Sequence, residues 1–145
     1  MCQMECRWRV EAHDFEGARK VRRLLRMLLQ DLGTKASDFQ GAEVVCGELL
    51  SNALRYSDSA VNVTLKHELN EFRLDVEDTG GCFDIEGMGQ WPGTDAEGGR
   101  GLLLVRELAE EMSVAKGDGS CRVCATLPIQ CSAFAAAGST AQTSS

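Results

Sequence analysis

Apolar and polar residues alternate from Cys6 to Val10, with Trp8 set between Arg7 and Arg9, and this predicts a half-buried strand. From Asp14 to about Leu32 the period lengthens to that of a helix. Val21, Leu24, Leu25, Leu28 and Leu29 form its apolar stripe, and Gly33 marks its stop. Ser37 and Gln40 read as a capping box opening a second helix that runs through Asn52 to about Tyr56. Val61, Val63 and Leu65 then alternate in one strand and Phe72, Leu74 and Val76 in another, with a turn near Leu69-Asn70-Glu71. Helical spacing resumes from Leu102 to about Met112. Two closing strands follow, Ser113 to Lys116 and Cys121 to Leu127, joined by Gly117-Asp118-Gly119 as a hairpin turn.

Helices of this kind need one face of a sheet on which to bury their stripes. The element order therefore predicts an α+β fold, a two-layer sandwich whose mixed, mostly antiparallel sheet carries helices on one face. Clean alternation in the strands leaves the other face open to solvent, a partner or a second copy in a homodimer. Between Asp78 and Gly101 no period survives. That stretch holds Pro92 and eight of the fifteen glycines, and a segment so long is usually functional or disordered. The chain turns small and polar at its end, QCSAFAAAGSTAQTSS, so a single domain over residues 1–128 and a disordered tail over 129–145 are expected.

Composition narrows the function classes. A chain of 145 residues suits one compact domain, and 43% hydrophobic with 26% charged residues is the mixture of a globular protein. No apolar run approaches the ~20 residues that span a bilayer. The start, MCQMECRWRVEAHDF, lacks the apolar core of a signal peptide, so a cytoplasmic setting without membrane contact is the expectation. A formal net charge of −7 argues against nonspecific nucleic-acid binding, which needs Lys and Arg on phosphates. Positive charge is nevertheless gathered in RKVRRLLRMLL, Arg19 to Leu29, either as a solvated helix face or as a docking face for an acidic partner. Seven scattered cysteines make no disulfide framework. Cys121 and Cys124 are half of a zinc motif with nothing to complete it, and three residues apart in a strand they point to opposite faces. His13 and His67 have no acidic neighbours suited to activation and read as surface or structural residues.

Three segments carry candidate chemistry. In GELLSNALRYS, Gly47 to Ser57, Glu48 and Asn52 lie one turn apart at the edge of the apolar arc, about 40° from each other. On an open surface they would be an ordinary i, i+4 pair worth about 0.2–0.5 kcal/mol. In VEDTGGCFD, Val76 to Asp84, a strand ends on Asp78 and runs into glycines that let backbone approach a flat ligand. A plain turn has the same form. In EGGRGLLLVREL, Glu97 to Leu108, glycines open a helix, so bare N–H groups and the positive end of its dipole meet, as they do at phosphates. A flexible linker has that form too.

Taken in this order, ExxxN, DxG and GGxG resemble the N, G1 and G2 boxes of the GHKL ATPase superfamily, and most closely its small anti-sigma-factor serine/threonine kinases. The resemblance covers roughly Trp8 to Leu127. It implies an ATP- and magnesium-dependent protein kinase that acts on an anti-anti-sigma, STAS-type partner and holds a sigma factor, with no direct nucleic-acid contact. A nucleotide-sensing module that sequesters a partner without phosphoryl transfer is the alternative. By resemblance Glu48 is the catalytic base and Asn52 the Mg²⁺ ligand. Asp78 takes the adenine amino group and Gly80 lets the base lie flat. Gly98, Gly99, Arg100, Gly101 and Leu102 border the phosphates, and Arg55 lines the same pocket. The segment from about Phe83 to Gly98, with Trp91 near its middle, corresponds to the lid. Cys82 stands where the family has the second glycine of DxGxG, and thereby bears on nucleotide affinity and lid movement. No P-loop lysine is present.

Overall fold

The computed structural model describes residues 4–79, 103–117 and 120–130. Strand β1 (Met4–Val10) leads into helices α1 (Phe15–Leu32) and α2 (Phe39–Tyr56), then strands β2 (Val61–Glu68) and β3 (Glu71–Asp78). Residues 103–108 are helical and are called α3 here. Strands β4 (Glu111–Gly117) and β5 (Ser120–Thr126) close the described fold. The five strands form one sheet in the order β1-β2-β3-β5-β4, and every neighbouring pair is antiparallel.

Alternation of side chains sets the layers. Val61, Val63 and Leu65 of β2, Phe72, Leu74 and Val76 of β3, and Cys121, Val123 and Ala125 of β5 point inward and are buried. Against them lie Ala18, Val21, Leu25 and Leu29 of α1 and Ala42, Val45, Cys46, Leu49, Leu50, Ala53 and Leu54 of α2. Val105 carries α3 into the same core. The opposite face is polar and open, with Arg7, Arg9, Asn62, Thr64, Lys66, Asp75, Glu77 and Arg122 around a shallow groove. This is the expected α+β sandwich.

Local chemistry explains where the elements begin and end. Asp14 caps α1 by accepting from the Gly17 amide at 2.9 Å, and Asp38 caps α2 by accepting from the Gly41 amide at 2.9 Å. The expected Ser37–Gln40 capping box is not what opens α2. Ser37 instead exchanges hydrogen bonds with the Gln130 backbone, accepting from its N–H at 2.8 Å and donating to its carbonyl at 3.2 Å. Because Ile129 is 3% exposed and Gln130 is tied to Ser37 and Thr34, the packed body extends past Pro128. Gly33 follows α1 in extended backbone, at a place with no room for a side chain. A Cβ there would stand 2.9 Å from Ile129 Cγ2 and 3.0 Å from the Leu29 carbonyl oxygen.

Two further expectations are corrected. Leu24 is 44% exposed and lies outside the buried stripe of α1, since it sits about 40° beyond the half-buried Leu28 on a helical wheel. The last helix does not reach Met112. Glu111 and Met112 pair with Thr126 and Ala125, so ladder bonds to β5 override the helical propensity of Glu-Glu-Met.

The β2–β3 hairpin turns on two residues, Leu69 and Asn70, with φ of 53° and 64°. That is the type I′ geometry that suits the strand twist and favours Asn-Gly over a leucine. Leu69 is 84% exposed, so it gains little packing in return for the left-handed backbone. Leu69→Asn is expected to stabilise the fold by about 0.5–1 kcal/mol, seen as a melting temperature raised by roughly 2–5 °C.

Candidate functional site

The site is built on α2. Its buried arc faces the sheet, and on one side it meets α1: Glu43 pairs with Arg26 at 3.2 Å, and Arg22 lies so close over Gly47 that a Cβ there would stand 2.8 Å from its guanidinium. Asn52 lies about 140° round the helix from Gly47, on the flank turned away from α1. It is 2% exposed, and its Nδ2 has no hydrogen-bond partner among the described residues. Glu48, one turn earlier and half-buried, does not accept from it, so the ordinary i, i+4 side-chain pair is absent. A buried amide without a partner costs about 1–3 kcal/mol and marks a place where something else completes the bonding. As placed, the orphan is a donor suited to a phosphate oxygen. Turning the amide through 180° presents its carbonyl oxygen, which suits a hard cation.

Asp78 ends β3, and its neighbours in register are Val61 of β2 and Cys121 of β5, both fully buried. Its own exposure is 1%. The carboxylate is held from the C-terminal end of α2: Ser57 donates to Oδ1 at 2.7 Å and Ser59 donates to the same oxygen at 3.1 Å. The Ser59 amide in turn donates to Ser57 Oγ at 3.1 Å, and the Thr79 hydroxyl donates to the Ala60 carbonyl at 2.9 Å. The short connection from α2 to β2 thus grips the end of β3. Ser57 is five residues past Asn52, about 7.5 Å along the helix axis, so both groups belong to the last turns of α2. Arg55 is exposed in the final turn.

Of the residues singled out in the sequence, the fold seats Glu48, Asn52 and Arg55 on one helix and joins Asp78 to that helix through the two serines. Gly80, Cys82, Gly98, Gly99, Arg100, Gly101 and Leu102 lie outside the described residues, as does the segment Phe83 to Gly98 with Trp91. Ser57 and Ser59 were missed. The only sequence signal for them is a pair of small hydroxyl residues at the helix end, Tyr-Ser-Asp-Ser.

The remaining described polar groups offer less. Cys121 is buried in the core and Cys124 lies on the open face, as the strand period requires. Burial and the adjacent Asp75 push the Cys124 thiol up to about 12, and burial does the same for Cys46, so neither supplies a thiolate near neutral pH. His67 stacks on Phe72 at 4.3 Å, and burial lowers its pKa. No metal-binding cluster of His, Cys, Asp and Glu occurs among the described residues. None of their helices is long and apolar enough to cross a membrane.

With this geometry in place, comparison with known proteins is informative. Residues 12–127 match the histidine kinase-like ATPase domain. Among solved structures the chain is similar to the crystal structure of the RsbU and RsbW domains of Rv1364c from Mycobacterium tuberculosis, with a TM-score of 0.61 at 21% identity. That likeness, which concerns the fold, covers 92% of this chain but 34% of the other, so the chain spans about a third of that protein's length. No curated protein sequence matches.

The orphaned amide gives a direct test. Asn52→Leu replaces it with an apolar side chain of similar volume, and the melting temperature should hold or rise, because an unpaired polar group leaves the interior. A fall of more than about 5 °C, on the order of 1–2 kcal/mol for a domain of this size, would mean that Asn52 already has a structural partner.

Proposed function

We propose that this chain, which belongs to the histidine kinase-like ATPase family, is an ATP-binding anti-sigma regulatory factor that phosphorylates a serine or threonine of an anti-anti-sigma, STAS-type partner. The observation that carries the reading is the buried, unpartnered amide of Asn52 one turn from half-buried Glu48, on the helix that also holds Asp78 through Ser57. A purely structural helix has no use for that amide, whereas a magnesium nucleotide offers both an acceptor for a donor and a cation for a carbonyl. The residues present therefore fit the group.

In this reading Asp78 accepts from the exocyclic amine of adenine, Asn52 holds Mg²⁺ or a phosphate oxygen, and Glu48 takes the proton of the attacking hydroxyl. Half-burial keeps Glu48 in reach of both solvent and a docked hydroxyl, as a base requires. Bound Mg²⁺ would neutralise charge developing on the transferred phosphoryl group, and the rest of the chemistry is positioning. The glycines from Gly98 to Gly101 are proposed to donate backbone N–H groups to the phosphates. The working unit is a single domain from β1 through Gln130, with the small polar segment after it taking no part.

Partner docking is placed on the outer face of α1. Leu24 and Met27, 44% and 55% exposed, lie there among Lys20 and Arg23, an apolar centre with a basic rim. On a chain of net charge −7 this local reversal of sign favours an acidic partner such as a sigma factor or its antagonist. The second reading, a nucleotide-gated binding module, keeps this face and drops the transfer step.

Excess Mg-ATP is expected to raise the melting temperature, since a ligand at ~100 times its dissociation constant adds about 2.7 kcal/mol. No shift at millimolar Mg-ATP would defeat the nucleotide reading. Glu48→Ala should retain that shift while lowering phosphoryl transfer to the partner by about 10²–10⁴, the usual cost of a lost base. A wild-type protein that binds both ATP and partner yet transfers no phosphate is instead the binding module.

A further inference from the structure

Nucleotide recognition by Asp78 alone would be loose, because a carboxylate at a strand end can turn about its last bond. Here that freedom is gone. Two hydroxyls, from Ser57 at 2.7 Å and Ser59 at 3.1 Å, donate to one and the same oxygen, Oδ1. Each hydroxyl has a single proton. With the Ser57 proton on Asp78, the Ser57 oxygen accepts from the Ser59 amide at 3.1 Å, which sets the Ser59 side chain for the second donation. Ser57 is 2% exposed, so this bonding is shielded from water and from its competition. Donation by two O–H groups to one oxygen fixes the plane of the carboxylate.

We propose that Ser57 and Ser59 are specificity-determining positioning residues: by locking the Asp78 carboxylate in plane, they make it an aligned acceptor for the 6-amino group of an adenine nucleotide. The inference rests on the nucleotide reading given above and adds to it the origin of base selectivity. The arrangement also connects the base to the helix that bears Asn52 and Glu48. Ser57 caps α2 in extended conformation, with φ −116° and ψ 139°, so one rigid element locates the groups for base, phosphates and attacking hydroxyl. A ligand lacking the amine would bring this acceptor no donor of its own, the situation in which hydrogen-bonding sites discriminate best.

The experiment compares equilibrium binding of ATP with that of the purine riboside triphosphate that has hydrogen in place of the 6-amino group. Folding is followed in parallel by circular dichroism. The wild-type protein should prefer ATP by roughly tenfold or more, the effect of one hydrogen bond to a charged acceptor. Ser57→Ala should bring that ratio to within about threefold of unity, chiefly by weakening ATP, while Ser57→Thr, which keeps a hydroxyl on backbone that any residue adopts, should restore it. If Ser57→Ala does not fold, Ser59→Ala decides, since this partly exposed residue removes the second donor and should at least halve the ratio. Equal weakening of both nucleotides, or an unchanged ratio in a folded variant, would overturn the positioning role. A wild-type ratio near one would instead defeat the adenine reading itself, and is thereby told apart.

Discussion

Everything in the site depends on how helix α2 is buried. Leu49, Leu50, Ala53 and Leu54 are almost wholly out of water against the sheet, and Gly47 lets the guanidinium of Arg22 press on the side toward α1. Side chains this tightly held leave the helix no freedom to rotate. The flank turned away from α1 is therefore fixed as well, and that flank bears Asn52 and Glu48. A polar residue at the margin of such an arc is carried into the interior by its neighbours' burial, whatever its own preference. The energy that seats Asn52 comes from the leucines around it.

The same rigidity reaches Asp78 by a different route. Antiparallel register puts Asp78 between Val61 and Cys121, so a charged group ends a strand in the middle of the sheet rather than at its rim. Such a charge is stable only if hydrogen bonds replace water. The connection from α2 to β2 provides them, with Ser57 and Ser59 on the carboxylate and Thr79 tied to Ala60. Helix and strand ends are thus coupled through side chains, across 21 residues of sequence.

The layers were legible because they are periodic. Repeats of two and of 3.6 residues located every described strand and both long helices. The placement of Glu48, Asn52 and Asp78 was legible because unusual residues stood at fixed positions of those periods. What failed had no period. The Ser57–Asp78 and Ser37–Gln130 bonds join segments far apart in sequence, and a small hydroxyl that makes one resembles any turn residue. Leu24 looked like core because leucine usually is, but the stripe on α1 is narrower than its apolar content. Glu111 and Met112 looked helical until their pairing with β5 took precedence.

The two buried polar residues differ in a way that separates their roles. Oδ1 of Asp78 accepts from two hydroxyls, so the orientation of its carboxylate is settled within the fold. Asn52 is buried to the same degree, yet its Nδ2 is unpaired among the described residues, an unmet interaction at that point. Natural folds keep such a cost where function needs it. One group has its bonding settled by the fold, and the other does not. In the proposed nucleotide reading, with both tied to α2, a ligand would complete the bonding at Asn52 without disturbing the clamp on Asp78, and affinity and selectivity would arise from separate residues of one rigid helix.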